Sequence, residues 1–122
     1  MVVEPDVLAR MVIADYLRRC GYKVIEGVAA EDVFAVLRAG GTIDVVLTEM
    51  KLPGEMDGFS LARQLRQTHP GIDVLLTVGI VNAADKAGDL CEDGPLEKPF
   101  HPQEVVRRIN LLRERRRTSK TS

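Results

Sequence analysis

Apolar and polar positions along this chain follow two periods in alternation. From Ile43 an apolar, β-branched run through Val45, Val46 and Leu47 ends abruptly in Glu49, with Pro53 four residues on. A second run covers Ile72 to Val78, with Asp73 near its entrance. Runs of this length are what strands covered on both faces look like. Val2-Val3 and Tyr22 to Glu26 read as two further strands, and Leu96 as the remnant of a short fifth. Between them apolar residues recur at helical spacing. Leu8, Met11, Val12 and Leu17 define a helix that stops at Cys20-Gly21. Val33, Phe34, Val36 and Leu37 define one over 30–39, closed by Gly40-Gly41. Phe59, Leu61, Ala62 and Leu65 define one from Gly58 to Thr68, closed by His69-Pro70-Gly71. The last runs from Pro102 to about Arg116, with Val105, Val106, Ile109 and Leu112 on one stripe. From Gly79 to Gly94 the residues Asn82, Asp85, Gly88, Asp89 and Asp93 dilute any stripe, so the fourth helix is expected to be short or mobile.

Strand and helix alternating five times predict a doubly wound α/β fold: about five parallel strands, right-handed crossovers and helices on both faces. At 122 residues there is room for one domain, placed at 1–116, followed by a basic and polar tail at 117–122. Aromatic residues make up only 4% of the chain, so the core must be built by aliphatic side chains. No stretch approaches the roughly 18 apolar residues of a membrane span, and no signal core follows Met1, so a cytoplasmic protein is expected. Cys20 and Cys91 lack the close spacing of a metal or redox motif and are expected to be reduced, partly buried thiols. The net charge of −1 gives no reason to expect a polyanionic partner. Arg107, Arg108, Arg113, Arg115, Arg116, Arg117 and Lys120 crowd the end, but without interleaved aromatics they read as a solvated helix end, not a nucleic-acid or lipid site.

In such a sheet the carboxyl ends of the strands share one rim. That rim collects Glu4 and Asp6 after the first strand, Glu49 after the third, Thr77 in the fourth and Lys98 after the fifth. Crowded carboxylates repel unless a cation offsets them, which suggests Mg²⁺, an oxygen-seeking ion. A hydroxyl and an ammonium are what the charged oxygens of a transferred phosphoryl group require. An acidic rim tied by Lys98 and doing no chemistry fits the same residues equally well.

Val2-Val3-Glu4, Leu47-Thr48-Glu49-Met50-Lys51-Leu52-Pro53-Gly54 with Met56-Asp57-Gly58, Leu75-Leu76-Thr77 and Leu96-Glu97-Lys98-Pro99-Phe100 stand in an order and spacing that resemble the receiver domain of two-component response regulators. The resemblance covers nearly the whole chain. It implies a five-stranded flavodoxin-like fold, a signalling module and not an enzyme, that accepts a phosphoryl group from a histidine kinase onto an aspartate with Mg²⁺. It places Glu49 at the acceptor position, Lys98 as the lysine that pairs with it, Thr77 as the hydroxyl that follows the phosphoryl group, and the Lys51 carbonyl on the metal. It also implies a cis Lys98-Pro99 bond.

Three departures from that pattern matter. Glu49 stands where the family has Asp, Pro5 replaces the second carboxylate of the acidic pair and leaves Asp6 one position late, and Pro95 occupies the aromatic switch position. A receiver that is poorly phosphorylated, or locked in one state, is therefore expected. The alternatives are a working receiver in which Glu49 replaces an original Asp, and a flavodoxin-like nucleotide or flavin binder. The last would need a phosphate loop, which Glu4-Pro5-Asp6-Val7-Leu8 does not supply. Asp57 reads as a helix N-cap, Glu55 as an extra loop residue, and His69 and His101 as helix-boundary residues. Expected partners are a histidine kinase or another signalling protein, and a second copy through the face made by helix four, strand five and helix five.

Overall fold

In a computed structural model of the chain, residues 1–91 and 102–121 are described, with the side chains of the last helix described over 103–116. Four parallel strands stand in the order β2-β1-β3-β4, with β1 at Val2–Val3, β2 at Glu26–Gly27, β3 at Val45–Glu49 and β4 at Asp73–Thr77. The helices are α1 at Val7–Arg19, α2 at Ala30–Arg38, α3 at Gly58–Thr68, α4 at Gly79–Cys91 and α5 at Pro102–Thr121. This is the flavodoxin-like, doubly wound arrangement. Leu96, the expected fifth strand, lies outside the described residues, as do Pro95 and the Lys98-Pro99 bond.

Strand alternation builds the two layers of the core. Val2 and Leu47 point to one face, where they meet Ala9, Ile13 and Leu17 of α1, Ala83, Ala84 and Ala87 of α4, and Val105 and Ile109 of α5. Val3 and Val46 point to the other, against Ala30 and Val33 of α2 and Leu61 and Leu65 of α3. Three helices begin on carboxylate caps. Asp6 accepts from the Leu8 and Ala9 amides, Asp32 from Val28 and Ala29, and Asp57 from Ser60 at 2.7 Å, which bears out the reading of Asp57. Helix α3 has the expected bounds.

Elsewhere the structure corrects the sequence. Strand β2 is two residues long instead of spanning Tyr22 to Glu26, because β1 offers only Val2 and Val3 as its ladder. Tyr22 instead turns its hydroxyl to the Leu90 carbonyl at 2.7 Å. Helix α4 is a full 13 residues, neither short nor interrupted. Its buried stripe is made of alanines, a weak hydrophobic signal, and its first amides are capped by distant or backward-reaching groups. Helix α5 runs on to Thr121, past Arg116 and through most of the expected tail at 117–122. Cys20 and Cys91 are not separate thiols. The fold brings the cap of α1 to the last residue of α4 with a Cα–Cα distance of 5.5 Å, and the two are joined as a disulfide.

Candidate functional site

Register assembles the rim. Pairing Glu49 with Thr77 across β3 and β4, and Val3 with Thr48 across β1 and β3, sets Glu49, Thr77 and Glu4 side by side at the carboxyl ends of the strands. The close approach of α3 to this edge requires a glycine. A Cβ on Gly58 would run into the Glu49 carbonyl, and the Gly58 amide donates to the Met50 carbonyl at 2.8 Å.

Glu49 turns toward β4. Its Oε2 accepts from the Thr77 hydroxyl at 3.2 Å and its Oε1 from the Gly79 amide at 3.0 Å, with the same amide 3.2 Å from Oε2. Thr77 is buried, and its Oγ1 also lies 3.3 Å from the Thr48 carbonyl. A hydroxyl has one hydrogen to donate, so those two acceptors share it. Gly79 opens α4 at φ 81°, a left-handed conformation that aims its amide back at the sheet. A hydroxyl, an amide and the positive end of a 13-residue helix together make an anion site. Here the anion is the side chain of Glu49.

The β1 side of the rim is arranged otherwise. Asp6 spends Oδ1 on the Leu8 and Ala9 amides at 3.0 and 3.2 Å, while Oδ2 meets the Arg113 guanidinium from α5. Burial alone would raise the Asp6 pKa, but the Ala9 amide, Arg113 and the Leu8 amide hold it below the ordinary carboxylate value. For Glu4 the Asp6 amide and the Arg113 charge act in the same direction but are outweighed. Its Oε2 is buried with no hydrogen-bond partner among the described residues, and its pKa is raised to about 7 by burial first, then by the charges of Glu49 and Asp6.

The resemblance to receiver domains implies Mg²⁺ at this rim. The side chains as arranged here do not fit that ion. Hard divalent cations take several carboxylate oxygens at once; Glu4 Oε2 is left without a hydrogen-bond partner among the described residues, but the oxygens of Asp6 and of Glu49 are engaged by donors, one of them a guanidinium. Among the described residues no group of three or more His, Cys, Asp or Glu side chains could hold a metal ion.

Of the residues singled out from sequence, the fold joins Glu4, Glu49 and Thr77. Asp6 stands beside them as a cap, Lys51 lies exposed just beyond β3, and Lys98 and Pro95 are outside the described residues. Two members of the site went unrecognised. Gly79 acts through its backbone, which no side-chain motif reports. Arg113 reaches across 107 positions to Asp6, having been read as part of a solvated end.

Comparison with known proteins gives a consistent picture. The profile of the response regulator receiver domain matches residues 1–110. Sensor kinase CckA of Brucella abortus is 31% identical over 119 residues, covering 94% of this chain and 12% of that protein. Transcriptional regulatory protein AruR of Pseudomonas aeruginosa is 33% identical over 120 residues, covering 93% and 48%. The chain thus spans half or less of the length of these curated relatives. A response regulator receiver domain protein from Clostridium thermocellum has the same fold, with a TM-score of 0.58 at 23% identity over 96% of this chain and 94% of that one.

Proposed function

The chain belongs to the response regulator receiver domain family of two-component signalling, and from that premise we propose that it is a poorly phosphorylated receiver held in one state by Glu49. What supports this is one observation: the Glu49 carboxylate already occupies the Thr77 hydroxyl and the Gly79 amide. Phosphoryl transfer is almost wholly positioning and electrostatics, and it needs donors free to take the charged oxygens of the incoming group. In this receiver those donors are spent on a resident carboxylate. The added methylene of Glu49 carries that carboxylate outward, and a misplacement of about 1 Å costs on the order of 10²-fold in rate. Pro5 removes a second carboxylate from the rim, and Arg113 neutralises Asp6 in place of a metal.

The signal would pass in the cytoplasm by docking to a histidine kinase or another signalling protein. Val78 and Val81 beside the site and Leu111 on α5 are exposed apolar residues available for such contacts, including contacts with a second copy. Among the described residues no helix is long and apolar enough to cross a membrane.

The test is incubation with acetyl phosphate and Mg²⁺, read by intact mass. The native chain is expected to stay substoichiometric, with the Pro5→Asp, Glu49→Asp double variant labelling faster by on the order of 10²-fold. Stoichiometric labelling of native Glu49 would end the proposal.

A further inference from the structure

Helix α4 lies between two fastenings. At its first residue the Gly79 amide is held by Glu49, and at its last, Cys91 is bonded to Cys20, the cap of α1. The Tyr22 hydroxyl adds a hydrogen bond to the Leu90 carbonyl one residue earlier. Between them Ala83, Ala84 and Ala87 are buried, each offering one methyl group, and Ile80 and Leu90 pack half-buried against the same core. The C-terminal end also borders a cavity of about 450 Å³, lined in part by Leu17, Tyr22, Val24 and Leu90. Both cysteines are only partly buried, at the edge of the core formed by α1 and α4.

We propose that Cys20–Cys91 is a redox-controlled latch that fixes the C-terminal end of α4 to α1 when oxidised and frees it when reduced. The idea rests on the cytoplasmic, fixed-state reading given above. In a reducing compartment a disulfide persists only transiently and serves sensing more often than architecture. In a receiver whose phosphoryl site is filled by its own carboxylate, the thiol pair supplies an input that the acceptor position does not. The exchange needs a dithiol reductant. Its thiolate attacks one sulfur of the bridge and the other leaves as a thiolate, giving a mixed disulfide. The reductant's second thiol then displaces the remaining sulfur. Two electrons and two protons reach Cys20 and Cys91, and the reductant becomes a disulfide.

The experiment uses the full chain under oxidised glutathione and under dithiothreitol, with thiol titration, non-reducing peptide mass mapping and amide exchange on each sample. The oxidised chain is expected to show no titratable thiol and a peptide joining Cys20 to Cys91. Reduction should release two thiols and speed exchange over 85–91 by on the order of tenfold, leaving α3 unchanged. Cys20→Ser and Cys91→Ala should each exchange at the reduced rate whether or not reductant is present. Two free thiols after glutathione treatment, or a bridge whose reduction leaves exchange over 85–91 unchanged, would overturn the latch. Phosphorylation enters none of these readouts, so failure here and failure of the Glu49 reading are separable. A latch that persists in Glu49→Gln would show that it stands by itself.

Discussion

Helices α3 and α4 follow successive strands, lie on opposite faces of the sheet, and are held by different physics. Helix α3 buries Leu61, Ala62 and Leu65 and begins on its own neighbour, Asp57. Helix α4 buries only alanines fully, packs Ile80 and Leu90 half-buried on the core, and is in addition gripped at its ends by Glu49 from β3 and by Cys20 from α1. A helix held by its apolar stripe changes only when the core changes. A helix held at its termini answers to the chemistry of those termini, and in α4 one terminus is the candidate signalling site and the other a thiol pair.

The sharpest way to break this contrast is to cut each helix from what holds it. The bridge closes a loop of sequence separation 71, so reducing it should cost roughly 4 kcal/mol on the chain-entropy account. Leu65→Ala in α3 should cost a similar amount, about 2–5 kcal/mol. Urea denaturation with and without dithiothreitol separates them: the midpoint of the native chain should fall on reduction, and Leu65→Ala should add its loss equally in both conditions. A native midpoint indifferent to reductant would place α4 in the same class as α3.

A smaller effect is expected at the other end of α4. Glu49→Gln keeps the shape of the side chain but replaces a charged acceptor, which should cost about 1–2 kcal/mol. Amide exchange should rise at Gly79 and Ile80 while α3 keeps its protection.

The smallest effect belongs to Glu4, and its sign is opposite to that of the capping aspartates. Its folded pKa of about 7 lies above the ordinary value of 4.5. Between those values the folded chain holds a proton that the unfolded chain has released, so stability falls as pH rises through this window. Allowing for its partial exposure, the loss is on the order of 1 kcal/mol. Asp6, Asp32 and Asp57, whose pKa values are lowered, lose stability instead as pH falls below the ordinary carboxylate range. Melting scans from pH 4.5 to 7.5 should show the Glu4 decline, and Glu4→Gln should flatten it.

The same contrast decides what could be read from sequence. Helix α3 was legible to the residue because its cap, stripe and terminator lie within one short segment. Strands β3 and β4 announced themselves by apolar runs, and the rim residues Glu4, Glu49 and Thr77 followed once the strands were parallel. Helix α4 was legible only as a short or mobile element, not as the 13-residue helix it is. Alanine gives a faint period, Glu49 caps from 30 positions away, and nothing local in Cys20 or Cys91 declares a bond across 71. Arg113 was hidden for the same reason, since its partner Asp6 is near only in the folded chain. The sequence expectation of two reduced thiols rested on both the cellular compartment and the wide spacing, and had no access to the geometry that sets α1 beside the end of α4.

The claim that Glu49 fills the place of a phosphoryl group between Thr77 and Gly79 is most directly tested at the Gly79 amide. The ¹H–¹⁵N resonance of Gly79 should lie downfield in the native chain, stay unmoved on adding Mg²⁺ and beryllofluoride, and shift upfield in Glu49→Gln. A Gly79 resonance that titrates with beryllofluoride in the native chain would mean that the donors are free, and would contradict the account.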